Sequence, residues 1–338
     1  MMCQIVADYM DTQDQISKAH KYINFGYQMI ADGPESDLIR LYLNARTGRL
    51  LSREKGKSGE AAELFKSVIE QAEKMPSTLI RDSLLYETYN YLGQTVDSPS
   101  AREEAYKRSA EIAYHLGNDQ DARSALQNMA FDIIDYGKPQ EALEIANQCL
   151  EEGLRGGMLE DQAYSFIIIG AAYTSLGNYH VAIENLLKGI SIFQDIGNHW
   201  NDIYSYYELA KAYLGTGNVP AAYDAAKKCL QSVQQTNEDG LDAYEQALAY
   251  EILGRVLAAL EDWLNAEEHF KKSIKIMHEE EAFFQKARVK KFYGLALIKK
   301  GEAEKGIKFL KSSLTVMKKM KVDYEANAIH DILSQLKR

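Results

Sequence analysis

Few side chains in this sequence are placed to do covalent chemistry. Gly56 to Ser58 read "GKS", the end of a phosphate-binding loop, but such a loop needs a glycine five residues earlier, where Leu51 stands. It also needs a preceding strand, and the segment here is a charged helical one. The seven histidines are dispersed, and no Cys or His pair has zinc-ligand spacing. The acidic runs "HEEEAFF" and "NEDGLD" fall at expected helix starts, where carboxylates favour the helix dipole, and neither is a calcium loop. No Gly-x-Ser-x-Gly elbow occurs. The expectation is a protein that is not an enzyme and holds no cofactor or metal. What remains is recognition. Lys211, Arg255, Arg288 and Lys291, with Glu251 among them, suit charge-assisted binding of a carboxylate, and Tyr164, Tyr204 and Tyr207 offer aromatic surface.

Charge is unevenly distributed along the 338 residues. From Phe283 onward fourteen Lys and Arg face five Asp and Glu, a local balance of +9, so the net charge of -10 leaves -19 on the first 282 residues. An acidic body argues against general nucleic-acid binding. Lys305, Lys308, Lys311, Lys318, Lys319 and Lys321 read as a solvated outer face or as a surface for phosphates or an acidic protein. The N-terminus lacks a basic region and carries Asp8 and Asp11, so no signal peptide is expected, and no apolar run approaches the ~20 residues of a membrane span. Three widely spaced cysteines, Cys3, Cys149 and Cys229, suit a reducing cytosol. A cytoplasmic protein without membrane association is expected.

These candidates must be positioned by a repeating element, and residues 169–182, "IGAAYTSLGNYHVA", reveal it. A small residue recurs at Gly93, Ala130, Gly170, Ala210, Gly254 and Gly294, each preceded by a large apolar residue. Three residues later stands a large one: Val96, Ile133, Tyr173, Tyr213, Leu257 and Leu297. Twelve residues after the first slot come Ala105, Ala142, Ala182, Ala222, Ala266 and Gly306. Seven beyond those stand Cys149, Gly189, Cys229, Ser273 and Ser313, so packing accounts for two of the cysteines. The unit at Gly93 breaks the pattern with Ile112; either its second helix shifts by one residue to present Ala113, or it packs less closely. The first slots are spaced by 37, 40, 40, 44 and 40 residues, the periodicity of a solenoid. Glycine- or proline-containing turns divide each unit into two helices whose apolar residues recur three and four apart. Small slots let the paired helices touch, and large slots fill the space beside the crossing.

The units resemble tetratricopeptide repeats (TPR), whose signature is an apolar residue and glycine, then tyrosine, then alanine, on two antiparallel helices. The usual period is about 34 residues. The longer one here is similar to the varieties in kinesin light chains and MalT-like sensor domains. The resemblance implies an all-α, right-handed superhelical solenoid of antiparallel helix pairs. The expected organisation is N-terminal capping helices over 1–34, about seven helix pairs over 35–320, and a C-terminal capping helix over 321–338. The first pair is degenerate, showing Ala61 and Phe65 without a clear glycine partner.

In proteins of this kind the first helix of each pair lines a concave groove. Residues three before and one after the first slot share a helical face, and that face holds Asn90 and Gln94, Gln127 and Phe131, Ile167 and Ala171, Tyr207 and Lys211, Glu251 and Arg255, and Lys291 and Leu295. A turn earlier come Tyr164, Tyr204 and Arg288. The middle of the groove is then aromatic and its C-terminal part largely cationic, with Glu251 a partner for Arg255 or Lys291. The resemblance implies a protein- or peptide-binding scaffold or adaptor whose partner has apolar and acidic character. The alternatives are a sensing module of a signalling ATPase or transcription regulator and, third, an enzyme or enzyme accessory subunit. Chaperone-binding members pair a lysine with asparagines on adjacent repeats, and the asparagines are missing here.

Overall fold

A computed structural model of the chain describes residues 16–30, 36–199, 201–236 and 243–336. Every regular element among them is an α-helix. An opening helix, α1 (Ile16–Gln28), is followed by α2 (Ser36–Ser52), α3 (Ser58–Glu73), α4 (Leu79–Thr95), α5 (Pro99–His115), α6 (Asp119–Asp135), α7 (Pro139–Gly156) and α8 (Leu159–Ser175). Then come α9 (Tyr179–Asp195), α10 (Asp202–Thr216), α11 (Val219–Thr236), α12 (Ala243–Ala259), α13 (Trp263–Glu279), α14 (Phe283–Lys300), α15 (Ala303–Lys319) and α16 (Asp323–Gln335). Two compact units result, Met1–Ala125 and Leu126–Arg338, with the boundary inside α6. Cys3 and the rest of the first fifteen residues lie outside the described residues.

The helices stop at regular intervals for a local reason. Residues 117, 137, 157, 177, 197 and 217 are glycines with positive φ, 20 residues apart, and the series resumes at Glu261, Glu281, Gly301 and Lys321. Each follows a helix, and the next residue's N–H returns to a carbonyl five positions back, as from Asn178 to Tyr173 (2.9 Å) and from Asp262 to Leu257 (2.9 Å). This is the left-handed C-terminal cap that glycine allows without strain. The large slot of the template is therefore also the residue whose carbonyl closes the helix: Ile133, Tyr173, Tyr213, Leu257 and Leu297.

The small slots are small because something specific meets them. A Cβ on Gly170 would come within 2.5 Å of the Leu186 Cγ and 3.0 Å of the Ala182 carbonyl oxygen. Gly294 and Gly306 face each other so closely that a Cβ on Gly306 would lie 2.5 Å from the Gly294 oxygen. The last slot faces a first-helix carbonyl 26 residues earlier. A Cβ on Gly189 would meet the Ala163 oxygen at 2.7 Å, while Cys229, Ser273 and Ser313 use the same approach to donate to Ile203, Ala247 and Ala287. Glycine fits, and so does any small side chain that can donate.

The first unit shows two departures from the template. In the pair at Gly93 the second helix is displaced by three residues, not one. Tyr106 meets Gly93, and Ser109 donates to the Tyr86 carbonyl (2.8 Å) in place of residue 112. Arg102 then takes the slot of the alanine, and its guanidinium satisfies the carbonyls of Gly93 (2.9 Å) and Gln94 (3.1 Å) at the end of α4. Pro99 at the start of α5 sets this register, because α4 must end before it. In the first pair a glycine partner does exist: a Cβ on Gly48 would meet the Phe65 ring at 2.6 Å.

The second unit holds a continuous core from Ala163 to Leu297, with the paired helices packed on one another. First helices also pack on the next first helix, α8 on α10, α10 on α12 and α12 on α14, which places them on one common surface. The last helices return to the beginning of the unit. Tyr136 packs edge-on against Phe284 (5.3 Å between centroids), Tyr324 lies against Gly137, and Asp135 pairs with Arg288.

Candidate functional site

The first helices of the second unit carry charges that the fold brings to one cavity. Its volume is about 370 Å³. One part of the wall is ionic, with Asp135 from α6, Lys211 from α10, Arg255 from α12, Arg288 from α14 and Glu325 from α16. The other part is apolar or neutral, and includes Ile134, Leu214, Tyr179 and Tyr324, with Thr174 and Ser175 at the end of α8.

Each cation has a carboxylate. Lys211 Nζ lies 2.8 Å from Glu208, one turn earlier on the same helix, and 5.1 Å from the centre of the Tyr207 ring. Arg255 reaches Glu251 at 3.1 Å and lies over the Phe292 ring at 4.0 Å. Lys291 pairs with Glu325 at 2.6 Å. Arg288 pairs with Asp135 and also donates to Gln285 Oε1 at 2.7 Å. The sequence left Glu251 open as a partner of Arg255 or Lys291. The structure gives it to Arg255, together with the Tyr207 hydroxyl, which donates to its other oxygen. The groove is thus not a net-positive strip. Its cations and anions interleave because α10 and α12 each carry both, while α6 and α16 supply the carboxylates that face α14.

Burial shapes the electrostatics. Tyr207 is only 3 % exposed, and desolvation with the adjacent Glu251 carboxylate pushes its hydroxyl well above the usual value. Burial likewise raises the Glu208 carboxyl, with Lys211 opposing. It lowers the Lys291 ammonium despite Glu325. Desolvation works against the charge of Arg288, but Asp135, Tyr207 and Glu251 more than restore it. Two buried atoms here have no hydrogen-bond partner, Glu208 Oε2 and Arg288 Nε. An acceptor and a donor are left unmade, each at a cost of about 1–3 kcal/mol.

The remaining expected groove residues fall differently. Gln127 is buried, its amide donating to the Asp161 carbonyl and Ser165 hydroxyl, both at 2.9 Å, so it ties α6 to α8. Tyr164 stacks on Phe131 and reaches Asn128 at 3.3 Å; Tyr204 meets the same Phe131 edge-on at 5.8 Å. Ile167 and Ala171 are core residues. None of these six lines the cavity. Asn90 belongs to the first unit. Asp135, Tyr179, Tyr324 and Glu325 escaped the sequence reading because they stand at helix ends and in the last helix, outside the three template positions used. Among the described residues no three His, Cys, Asp or Glu side chains are grouped to hold a metal, and no helix is long and apolar enough to cross a membrane.

No protein-family model matches the sequence, and no curated protein matches it. Solved structures do match. The Rap conjugation gene regulator of the plasmid pLS20, in complex with a Phr peptide, superposes with a TM-score of 0.68 at 14 % identity, covering 88 % of this chain and 80 % of that one. NprR in complex with its cognate peptide NprX gives 0.64 at 15 % identity, covering 99 % and 97 %. Aspartyl phosphate phosphatase F from Bacillus subtilis gives 0.52 at 12 % identity, covering 100 % and 93 %. The fold is that of TPR-type helical-repeat solenoids. At these identities the likeness is one of fold, shared by peptide-bound regulators and a phosphatase alike.

Proposed function

We propose that this chain is a receptor for a short peptide, bound in the cavity of the second unit and read by the ionic wall built from α6, α10, α12, α14 and α16. The observation that carries this reading is the convergence of four largely buried ion pairs on or beside one cavity. Buried ion pairs contribute little net stability relative to apolar packing, so concentrating them around an open space favours a role in recognition. Two proteins of the same fold, the Rap regulator and NprR, are seen with peptides.

The balance of charge refines the partner. A ligand carboxylate gains nothing from the net charge of the wall, since every cation is already paired. Its favourable place is beside Arg288, which lines the cavity together with Lys211 and Arg255. The partner is therefore a peptide with an acidic group directed to Arg288 and apolar character elsewhere.

Retention of a synthetic hexapeptide pool on the immobilised protein tests the reading. Ser175 is exposed and lines the cavity, so Ser175→Trp fills the space without touching an ion pair. Wild type should retain a peptide subset that this variant releases. Equal retention by both would place binding elsewhere.

A further inference from the structure

Tyr179 and Tyr324 each rest on a bare backbone. Tyr179 begins α9, and its ring lies over Gly215 in the last turn of α10, where a Cβ would come within 2.2 Å of the tyrosine Cε1. Tyr324 is in the first turn of α16 and lies over Gly137, where a Cβ would come within 2.5 Å of its Cβ and Cγ. Both rings line the same cavity, beside Ile134 and Leu214. Tyr324 is 54 % exposed, and Tyr179 is partly exposed.

We propose that Tyr179 and Tyr324 form a subsite that takes one apolar side chain of the bound peptide, Gly215 and Gly137 setting the rings back so that the space between them and Ile134 and Leu214 stays open. The inference rests on the reading of the cavity as a peptide site. The ring faces exclude water from an aliphatic or aromatic side chain while the ionic wall beside them handles charge. A small number of polar groups next to apolar surface is the usual composition of a ligand site. Tyr204 and Tyr207, the aromatic groove residues expected from sequence, do not form this subsite, since Tyr207 is buried and bonded to Glu251 and neither residue lines the cavity.

Gly215 supplies a test that separates recognition from stability. It lies within α10, where alanine is the better helix former, and the atoms it would meet are the movable end of the Tyr179 ring. Gly215→Ala should keep the melting temperature while pushing that ring into the cavity. The probe is an equimolar pool of synthetic hexapeptides with free termini, randomised over aliphatic, aromatic, acidic and amide residues, and the retained fraction is sequenced by mass spectrometry. Wild type should enrich Phe, Tyr, Leu, Ile or Met at one position at least about fivefold. In Gly215→Ala and in Tyr324→Ala that enrichment should fall to the level of the pool, while enrichment of acidic residues at another position persists. Retention without apolar enrichment, or apolar enrichment unchanged in both variants, overturns the subsite alone. A wild-type protein that retains no peptide overturns the peptide reading and the subsite with it.

Discussion

Arg288 on α14 and Asp135 at the end of α6 form an ion pair although 153 residues separate them in the chain. Together with the Tyr136–Phe284 contact, the pair ties the last helices of the second unit to its first. Removing Asp135 leaves the Arg288 guanidinium, 6 % exposed, without its countercharge. Asp135→Ala should therefore destabilise by about 2–4 kcal/mol, somewhat under the figure for a fully buried partner because Asp135 is partly exposed. Replacing both, as in Asp135→Leu with Arg288→Met, should cost less than the single change. Urea unfolding followed by circular dichroism measures both, and an additive or larger loss in the double variant would show that the charge pairing is not what matters.

Glu261, Glu281 and Lys321 hold the left-handed conformation that glycine holds at the other helix ends. A side chain there is strained by about 1–2 kcal/mol. Glu281→Gly and Lys321→Gly should each raise stability by about 0.5–1 kcal/mol after the entropy glycine adds to the unfolded chain. Gly177→Ala should lower it by a similar amount. Thermal melts of the three variants check the signs.

The helix crossings should be intolerant of bulk. Gly306→Ala places a Cβ 2.5 Å from the Gly294 carbonyl oxygen, a backbone atom that cannot swing aside. Gly170→Leu meets Leu186 and the Ala182 carbonyl. Each should destabilise by about 1–3 kcal/mol. A Gly306→Ala protein that melts with the parent would mean that α14 and α15 do not approach as described.

The alkaline limb of the stability profile follows from the tyrosines. Burial raises the hydroxyls of Tyr42 and Tyr89 to about 12, and that of Tyr207 well above 10. In the unfolded chain a tyrosine titrates near 10. The folded state therefore holds more protons than the unfolded one above pH 10, so stability is fully present below that pH and falls as pH rises towards 12. Absorbance titration at 295 nm should show a class of tyrosines that ionise well above pH 10 or only on unfolding. Uniform titration of all tyrosines near pH 10 would contradict the burial.

The repeat was legible in sequence because each helix crossing is local. Gly170, Ala182 and Gly189 lie within 20 residues of one another, and size alone marks them. The slip at Gly93 was carried by Pro99, whose effect on the end of α4 outweighs the template count. The cationic residues of the groove were legible as residues but not as a surface. Which carboxylate faces Arg288 or Lys291 depends on how far the solenoid curls between α6 and α16, and no local spacing encodes that. Charge reversal at Arg255 and Lys291 would set like charges against Glu251 and Glu325 inside the protein. A cavity-filling change is the cleaner probe.

The central claim is that the cavity of the second unit binds a peptide, and an equilibrium titration of the best-retained hexapeptide, labelled and followed by fluorescence anisotropy, tests it most directly. Ser175→Trp should weaken binding at least about tenfold, a loss of about 1.4 kcal/mol. The double variant Lys318→Ala/Lys319→Ala, on the exposed face of α15, should bind as wild type does. Unchanged affinity in Ser175→Trp, or an equal loss in both variants, would contradict the assignment and place binding outside this cavity.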